Sequence, residues 1–293
     1  MLFDINKIII QELNTLGTEN IKVSTLRTDL IHPIVSGNKW FKLRFYLEEA
    51  KRLKCNTIAS FGGAYSNHIV ALAAACRING LASVGFIRGE LNNSPSLLEA
   101  KALGMQLHFI SRDAYKYKEV VMQEFAKNEW FWINEGGYGI NGALGAATIL
   151  TDKDCSSFTH IICACGTGTM LAGLVIGSNE NQLVTGISVL KNNIGLNDMV
   201  TALLPPQKNK SFTTLHDYHF GGYAKHPVEL IDYMNQLFKR ENVPTDIVYT
   251  SKLFFATEEL IRQKYFDPNS TILIIHSGGL QGNRSLAPGS LVF

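Results

Sequence analysis

The chain has 293 residues, 46% apolar and 18% charged, with a formal net charge of +2. This fits one large or two intimate globular domains, and the near-neutral balance without a basic stripe argues against nucleic-acid binding. The opening "MLFDINKIIIQELN" has an early acid and too short an apolar run for a secretory signal, and no stretch reaches transmembrane length.

The five cysteines show no C-x-x-C spacing. Four of them, Cys55, Cys76, Cys163 and Cys165, lie in apolar segments and read as reduced core residues. A cytoplasmic location, no membrane contact and no metal site are therefore expected.

In chain order, "HPIVSGNKWFKLRF" (32–45) places Gly37 and Asn38, which tolerate left-handed backbone, before Lys39 and an amphipathic helical run. Taken alone, Lys39 reads as a surface lysine beside a bend. Next come "NTIASF" as a strand, "HIVALAAACRI" as a helix, "LASVGFI" as a strand, "SLLEAKAL" as a helix and "MQLHFI" as a strand. "YKYKEVVMQEFAKN" reads as a helix, "FWINEGG" as a strand and turn, and "NGALGAATIL" as a helix. "THIICAC", "TMLAGLVIGS" and "QLVTGISVL" continue as strand, helix and strand. The irregular stretch "LLPPQKNKSFTTLHDYHFGGYAKHP" precedes the helices "PVELIDYMNQLFKREN" and "FFATEELIRQK" and the strand "STILIIHSGG". The alternation predicts an α/β fold with a mostly parallel sheet covered on both faces.

Ligands of open α/β sheets bind beyond the carboxyl ends of the strands, and three such ends are marked by glycine. After Gly62 and Gly63 come Ser66, Asn67 and His68 at a helix start, where Ser66 or Asn67 also reads simply as an N-cap. Gly166, Thr167, Gly168 and Thr169 join a buried strand to a helix, so N–H groups and hydroxyls converge there as an anion cradle. The loop lacks the Gly-Lys-Ser/Thr of a Walker A sequence, and Leu171 occupies the third glycine position of the dinucleotide fingerprint. This disfavours ATP and a nicotinamide cofactor, and favours a cofactor with one phosphate. The third end places His276 and Ser277 on the same crevice. A lysine after a bend, a phosphate cradle and neighbouring hydroxyls together point to pyridoxal 5′-phosphate (PLP).

The same residues resemble a known family over nearly the whole chain. "LRTDLIHPIVSGNKWFKL", "GGAYSNH", "CGTGTMLAGL", "DIVYTSK" and "HSGG" are similar to the motifs of fold-type II PLP enzymes. Among these they resemble the 1-aminocyclopropane-1-carboxylate (ACC) deaminase and D-cysteine desulfhydrase family. The resemblance implies a tryptophan synthase β-like fold with two open, mostly parallel sheets flanked by helices. A large PLP domain would take residues 1–43 and 147–293, and a smaller inserted one residues 44–146. It also implies that Lys39 carries PLP and moves protons at Cα, that Asn67 binds the phenolic oxygen, and that Ser66 binds the substrate carboxylate or assists proton transfer. Gly166, Thr167, Gly168 and Thr169 would hold the phosphate, with Lys42 as an added cation. Tyr223 and Tyr249 would face the substrate, Thr250 and Ser277 would face the cofactor, and His68 would stand beside the substrate or behind the site.

Members that open the cyclopropane ring have an acid after the tyrosine, whereas this chain has Thr250, and Ser277 after His276. The expected activity is therefore D-cysteine desulfhydrase-like β-elimination on a small amino acid, giving pyruvate, ammonia and sulfide. ACC deamination and a catalytically idle PLP- or amino-acid-binding relative are the alternatives. A homodimer is implied by the resemblance alone.

Overall fold

The computed structural model describes residues 3–208 and 211–293. Met1 and Leu2 of the N-terminal stretch, and Asn209 and Lys210 of the irregular one, lie outside them. Along the described residues the elements are β1 (Ile10–Glu12), β2 (Lys22–Leu26), α1 (Asn38–Arg52), β3 (Thr57–Gly62), α2 (Asn67–Ile78), β4 (Ala82–Arg88), α3 (Pro95–Ala102) and β5 (Gln106–Ile110). They continue with α4 (Lys118–Phe125), β6 (Trp130–Ile133), α5 (Ile140–Thr151), β7 (His160–Cys165), α6 (Thr169–Gly177), β8 (Leu183–Ser188) and α7 (Leu196–Thr201). Last come β9 (Thr213–Leu215), α8 (Val228–Glu241), α9 (Thr250–Arg262) and β10 (Thr271–Ile275).

The strands form two sheets. One has the order β1-β2-β10-β7-β8-β9 and the other β5-β4-β3-β6. Every pairing is parallel except β1 with β2, where Ile10 faces Leu26. This is the α/β architecture that the alternation predicts, in the two mostly parallel sheets that the resemblance implies. Parallel strands are covered on both faces and so read as continuous apolar runs. In β7 Ile161–Cys165 are all buried, and in β10 Ile272–Ile275. α8 shows the complementary pattern, burying Leu230, Tyr233, Met234 and Leu237 at helical spacing.

Three helices meet almost at backbone contact. A Cβ built on Gly145 of α5 would stand 2.0 Å from the carbonyl oxygen of Phe41 in α1, and one on Gly173 of α6 2.5 Å from that of Ala143 in α5. These close approaches fix α1 and α6, whose N-termini carry Lys39 and the glycine-threonine loop, on either side of α5.

Five elements depart from the sequence reading, among them α7, whose residues it assigned to no element. β1 and β2 were not legible, because "IQE" is too short and "KVSTL" mixes polar and apolar residues. β9 lies inside the stretch read as irregular. α9 begins at Thr250, four residues before its apolar run, because Thr250, Ser251 and Lys252 are buried polar residues of its first turn. No helix among the described residues is long and apolar enough to cross a membrane.

Candidate active site

The carboxyl ends of β3, β7 and β10, and the loop after β2, converge on one cleft. Gly37, at φ +58°, precedes α1, and a Cβ there would fall 2.0 Å from the Ser277 carbonyl oxygen. Only glycine satisfies both the left-handed backbone and that approach. The bend is tied by Gly37 N–H to Thr28 O (3.0 Å) and Asn38 N–H to Ser277 O (3.2 Å). Lys39 thus starts α1 from a fixed position. Its Nζ donates to Asn38 Oδ1 (2.9 Å) and lies 5.8 Å from the centre of the Tyr249 ring. Burial lowers the Lys39 pKa to about 8, against the opposing pull of Asp246.

Lys42, one turn on, is buried and donates to Gly136 O at 3.2 Å. Burial, and then the Lys39 charge, bring its pKa down to about 7, while Cys163 and Cys165 act in the opposite direction. Gly136 borders the cradle, since a Cβ there would meet the Thr167 methyl at 2.9 Å.

Ser66 is the N-cap of α2, its Oγ accepting from Ile69 N–H at 3.4 Å. Asn67 donates from Nδ2 to Gly279 O (3.3 Å), which leaves one amide N–H free, while its buried Oδ1 has no partner. An orphaned buried acceptor costs about 1–3 kcal/mol, so the amide is built for an occupant of the cleft. His68 Nε2 lies 2.9 Å from Ser60 Oγ, and its buried Nδ1 has no partner. Burial and the charges of Lys39 and Lys42 push its pKa down to about 3, so the ring is neutral.

The glycine-threonine loop closes the far side. Gly168, in left-handed conformation at φ +77°, starts α6 without a side-chain cap. The first-turn N–H groups of α6 thus face outward without a capping side chain. Thr167 and Thr169 hydroxyls share one hydrogen bond (2.9 Å), and Asn193 Nδ2 steadies the loop by donating to Gly166 O (3.1 Å). Gly166 lies under Tyr249, a Cβ there meeting the ring at 3.4 Å.

Tyr249 and Tyr223 stand edge to face, with ring centres 6.5 Å apart, and the Tyr223 hydroxyl reaches Tyr65 O at 3.4 Å. Burial raises both phenols, Tyr223 to about 12 and Tyr249 well above the ordinary value, so each is a neutral proton donor. Tyr223 comes from the stretch read as irregular. Lys252 of α9 anchors that turn, its Nζ donating to His219 O (2.9 Å) and Gly222 O (2.7 Å).

Asp246 was missed by sequence reasoning. It is fully buried and accepts four hydrogen bonds: Val248 and Tyr249 N–H at Oδ2, and Thr250 N–H and Oγ1 at Oδ1, all between 2.7 and 3.0 Å. Its signal was the spacing in "TDIVYT", an aspartate followed by the residues whose amides its own side chain caps. The Thr250 hydroxyl also accepts from Asp246 N–H (2.7 Å), so both the donor and one acceptor site of that side chain are engaged within the turn. Ser277 is buried beside Gly37. Behind it the His276 ring is held by Pro244 O (2.7 Å) and Asp29 (3.3 Å), with Arg27 forking onto Asp29 at 2.9 and 2.8 Å.

The set fits a phosphorylated aldehyde cofactor. It offers an amine of lowered pKa, an uncapped helix N-terminus with two hydroxyls, and an amide with one N–H and one oxygen unspent. Comparison with known proteins agrees. Residues 10–278 match the model of the family described as pyridoxal-phosphate dependent enzyme. A Thermotoga maritima chain described as a "putative 1-aminocyclopropane-1-carboxylate deaminase" is 31% identical over 278 residues, covering 87% of this chain and 88% of that one. The bifunctional D-cysteine desulfhydrase/1-aminocyclopropane-1-carboxylate deaminase of Arabidopsis thaliana is 28% identical over 292 residues, covering 87% and 72%. The crystal structure of an ACC deaminase homologue superposes with a TM-score of 0.81 at 26% identity, over 94% of this chain and 90% of that one.

Proposed function

The chain belongs to the family of pyridoxal-phosphate dependent enzymes, and from that premise we propose that it removes the β-substituent and the amine of a small amino acid, as a D-cysteine desulfhydrase does. When bound, PLP supplies an electron sink for the charge that develops at the substrate Cα. Thr167, Thr169 and the first-turn N–H groups of α6 would hold its phosphate, with Lys42 beside them, and the free N–H of Asn67 would meet its phenolic oxygen.

The first turn of α2 and the Ser66 hydroxyl would take the substrate α-carboxylate, since helix N-termini bind anions. Lys39 would remove the Cα proton. An ordinary lysine is almost wholly protonated at pH 8, whereas a pKa of about 8 leaves a large share of the free amine. Tyr249 keeps its phenolic proton and would donate to the departing group. For cysteine, the Cα–H and Cβ–S bonds break, one water is consumed, and pyruvate, ammonia and hydrogen sulfide leave.

The observation that carries this reading is Lys39 Nζ, held at 2.9 Å by Asn38 within 5.8 Å of the Tyr249 ring. The preference for β-elimination is supported by the neutral hydroxyls at Thr250 and Ser277. A second reading, ring opening of ACC, is favoured by Asp246. This buried carboxylate supplies through Thr250 the negative charge that the hydroxyl alone lacks.

The test is to supply purified holoenzyme with D-cysteine, L-cysteine and ACC. Pyruvate and sulfide from cysteine with no 2-oxobutanoate from ACC supports the proposal. 2-Oxobutanoate from ACC without sulfide from either cysteine selects the second reading, and no product from any of the three rejects both.

A further inference from the structure

Helix α9 buries a lysine whose hydrogen-bond partners are backbone. Lys252, in the first turn after Tyr249, is fully buried, and its Nζ donates to His219 O at 2.9 Å and Gly222 O at 2.7 Å. Among the described residues no carboxylate stands within ion-pair distance of it. An ammonium is costly to bury unless it is paired or hydrogen-bonded, and a methionine would fill the same space without that cost. Packing alone therefore does not call for a lysine here. Its grip on the turn does.

The turn it grips is strained. Phe220 and Ala224 lie at φ +51° and +54°, and between them Gly221 and Gly222 lie at +88° and +120°. Left-handed backbone in residues other than glycine persists only where the surroundings impose it. Gly222 N–H closes the turn on His219 O at 2.9 Å, so that carbonyl is held from two sides. Tyr223 leaves the turn between Gly222 and Ala224. Its ring stands edge to face with Tyr249, and its hydroxyl donates across 3.4 Å to the carbonyl of Tyr65, the residue before Ser66. A hydroxyl hydrogen bond of that length is weak, so the donor is kept beside the proposed carboxylate site and is ready to exchange its acceptor for a stronger one.

We infer that Lys252 is a positioning residue of the active site: through the 219–224 turn it sets the Tyr223 hydroxyl against the substrate beside Ser66. Tyr223 makes the contact and Lys252 acts only through it. This rests on the proposed function for the placement of an amino acid at Ser66. The substrate α-carboxylate is a charged acceptor, and charged acceptors form the stronger hydrogen bonds, so it draws the Tyr223 donor away from Tyr65 O. Both hydrogen bonds of Lys252 go to the turn, so its removal acts on substrate binding and leaves the hold on PLP in place.

The test reads the binding of alanine, which has no β-substituent to lose, by the change it makes in the PLP absorption of the holoenzyme. Both enantiomers are titrated and the better-bound one is used. Tyr223→Ala is expected to weaken it by about tenfold or more, the loss of one hydrogen bond to a charged group. Lys252→Met keeps the volume and removes the donors. It gives a loss of similar size, while PLP affinity by equilibrium dialysis stays within about twofold of the parent. Lys252→Gln, which retains two N–H donors, recovers part of the loss. In the Tyr223→Ala background Lys252→Met adds less than about threefold, because residues that act through one another are not additive. Circular dichroism shows which variants are folded, and should Lys252→Met not fold, the same comparison is made with Lys252→Gln. Unchanged alanine affinity in the folded variant compared, or losses that multiply in the double variant, overturns the inference. A parent that binds alanine but releases no sulfide from either cysteine rejects the proposed function, while the inference is still decided by the same affinities. A parent that binds neither enantiomer overturns both.

Discussion

At Lys39 two opposing influences meet, and their balance sets the working pH of the site. Burial favours the neutral amine and Asp246 favours the ammonium. Asp246→Asn keeps an oxygen for the cap and removes the charge, so the Lys39 pKa must fall further. In the pH profile of kcat, which reports groups of the substrate complex, the limb that reports deprotonation of Lys39 shifts to lower pH in this variant. An unmoved limb would mean that Asp246 serves only the turn. Lys39→Ala removes the amine itself. It is expected to lose the visible absorption of lysine-bound PLP and the borohydride-reducible link while keeping the parent far-ultraviolet circular dichroism. A link that survives in this variant would place the cofactor on another lysine. The motif around Lys39 was legible because a bend followed by a lysine is local chemistry. Asp246 was not, because its role arises where α9 starts, and there its side chain reads as one more polar residue in a loop.

Helix α6 is the element proposed to hold the cofactor's phosphate. Packing against α7 also bears on Gly168. A Cβ there would strike Val200 at 2.7 Å and Leu196 at 3.1 Å, in a left-handed backbone, so the glycine is required by α7. Substitution at Gly168 therefore disturbs packing as well as binding. The cleaner probe is the pair Thr167→Val and Thr169→Val, which keeps shape and removes two hydroxyls. Hydrogen bonds to a charged group are worth about 1.5–3 kcal/mol each, so PLP affinity measured by equilibrium dialysis should fall by at least tenfold. An unchanged affinity would put the phosphate elsewhere. The elements legible in sequence were those whose pattern repeats over a full turn or strand. Three-residue strands such as β1 and β9 carry no period to read, and they exist because a neighbouring strand supplies their hydrogen bonds.

Among the described residues, three lysines are held below their ordinary pKa of 10.5, Lys39 and Lys252 to about 8 and Lys42 to about 7. Between those values and 10.5 the unfolded chain binds more protons than the folded one, so stability rises with pH. Buried Cys76 and Cys155 are shifted upward, to about 12 and about 11, and reverse the slope once unfolded thiols ionise near pH 9. The PLP-free protein should therefore show a Tm that climbs from pH 7 to about 8.5 and then levels or falls. A Tm that declines steadily across that window would contradict the buried-lysine balance.

The small sheet takes all its strands from one continuous stretch, whereas β10 must pair with β2 across some 250 residues of intervening chain. On a ribosome, β3 to β6 can fold while later strands are still being made, but β2 waits beside an empty slot until β10 emerges. The bend that presents Lys39 is latched to Ser277, two residues beyond β10, and Thr28 of its loop donates to the adjoining His276 carbonyl. Catalytic competence therefore waits on β10, and capture of the cofactor marks a chain that has grown past Ser277.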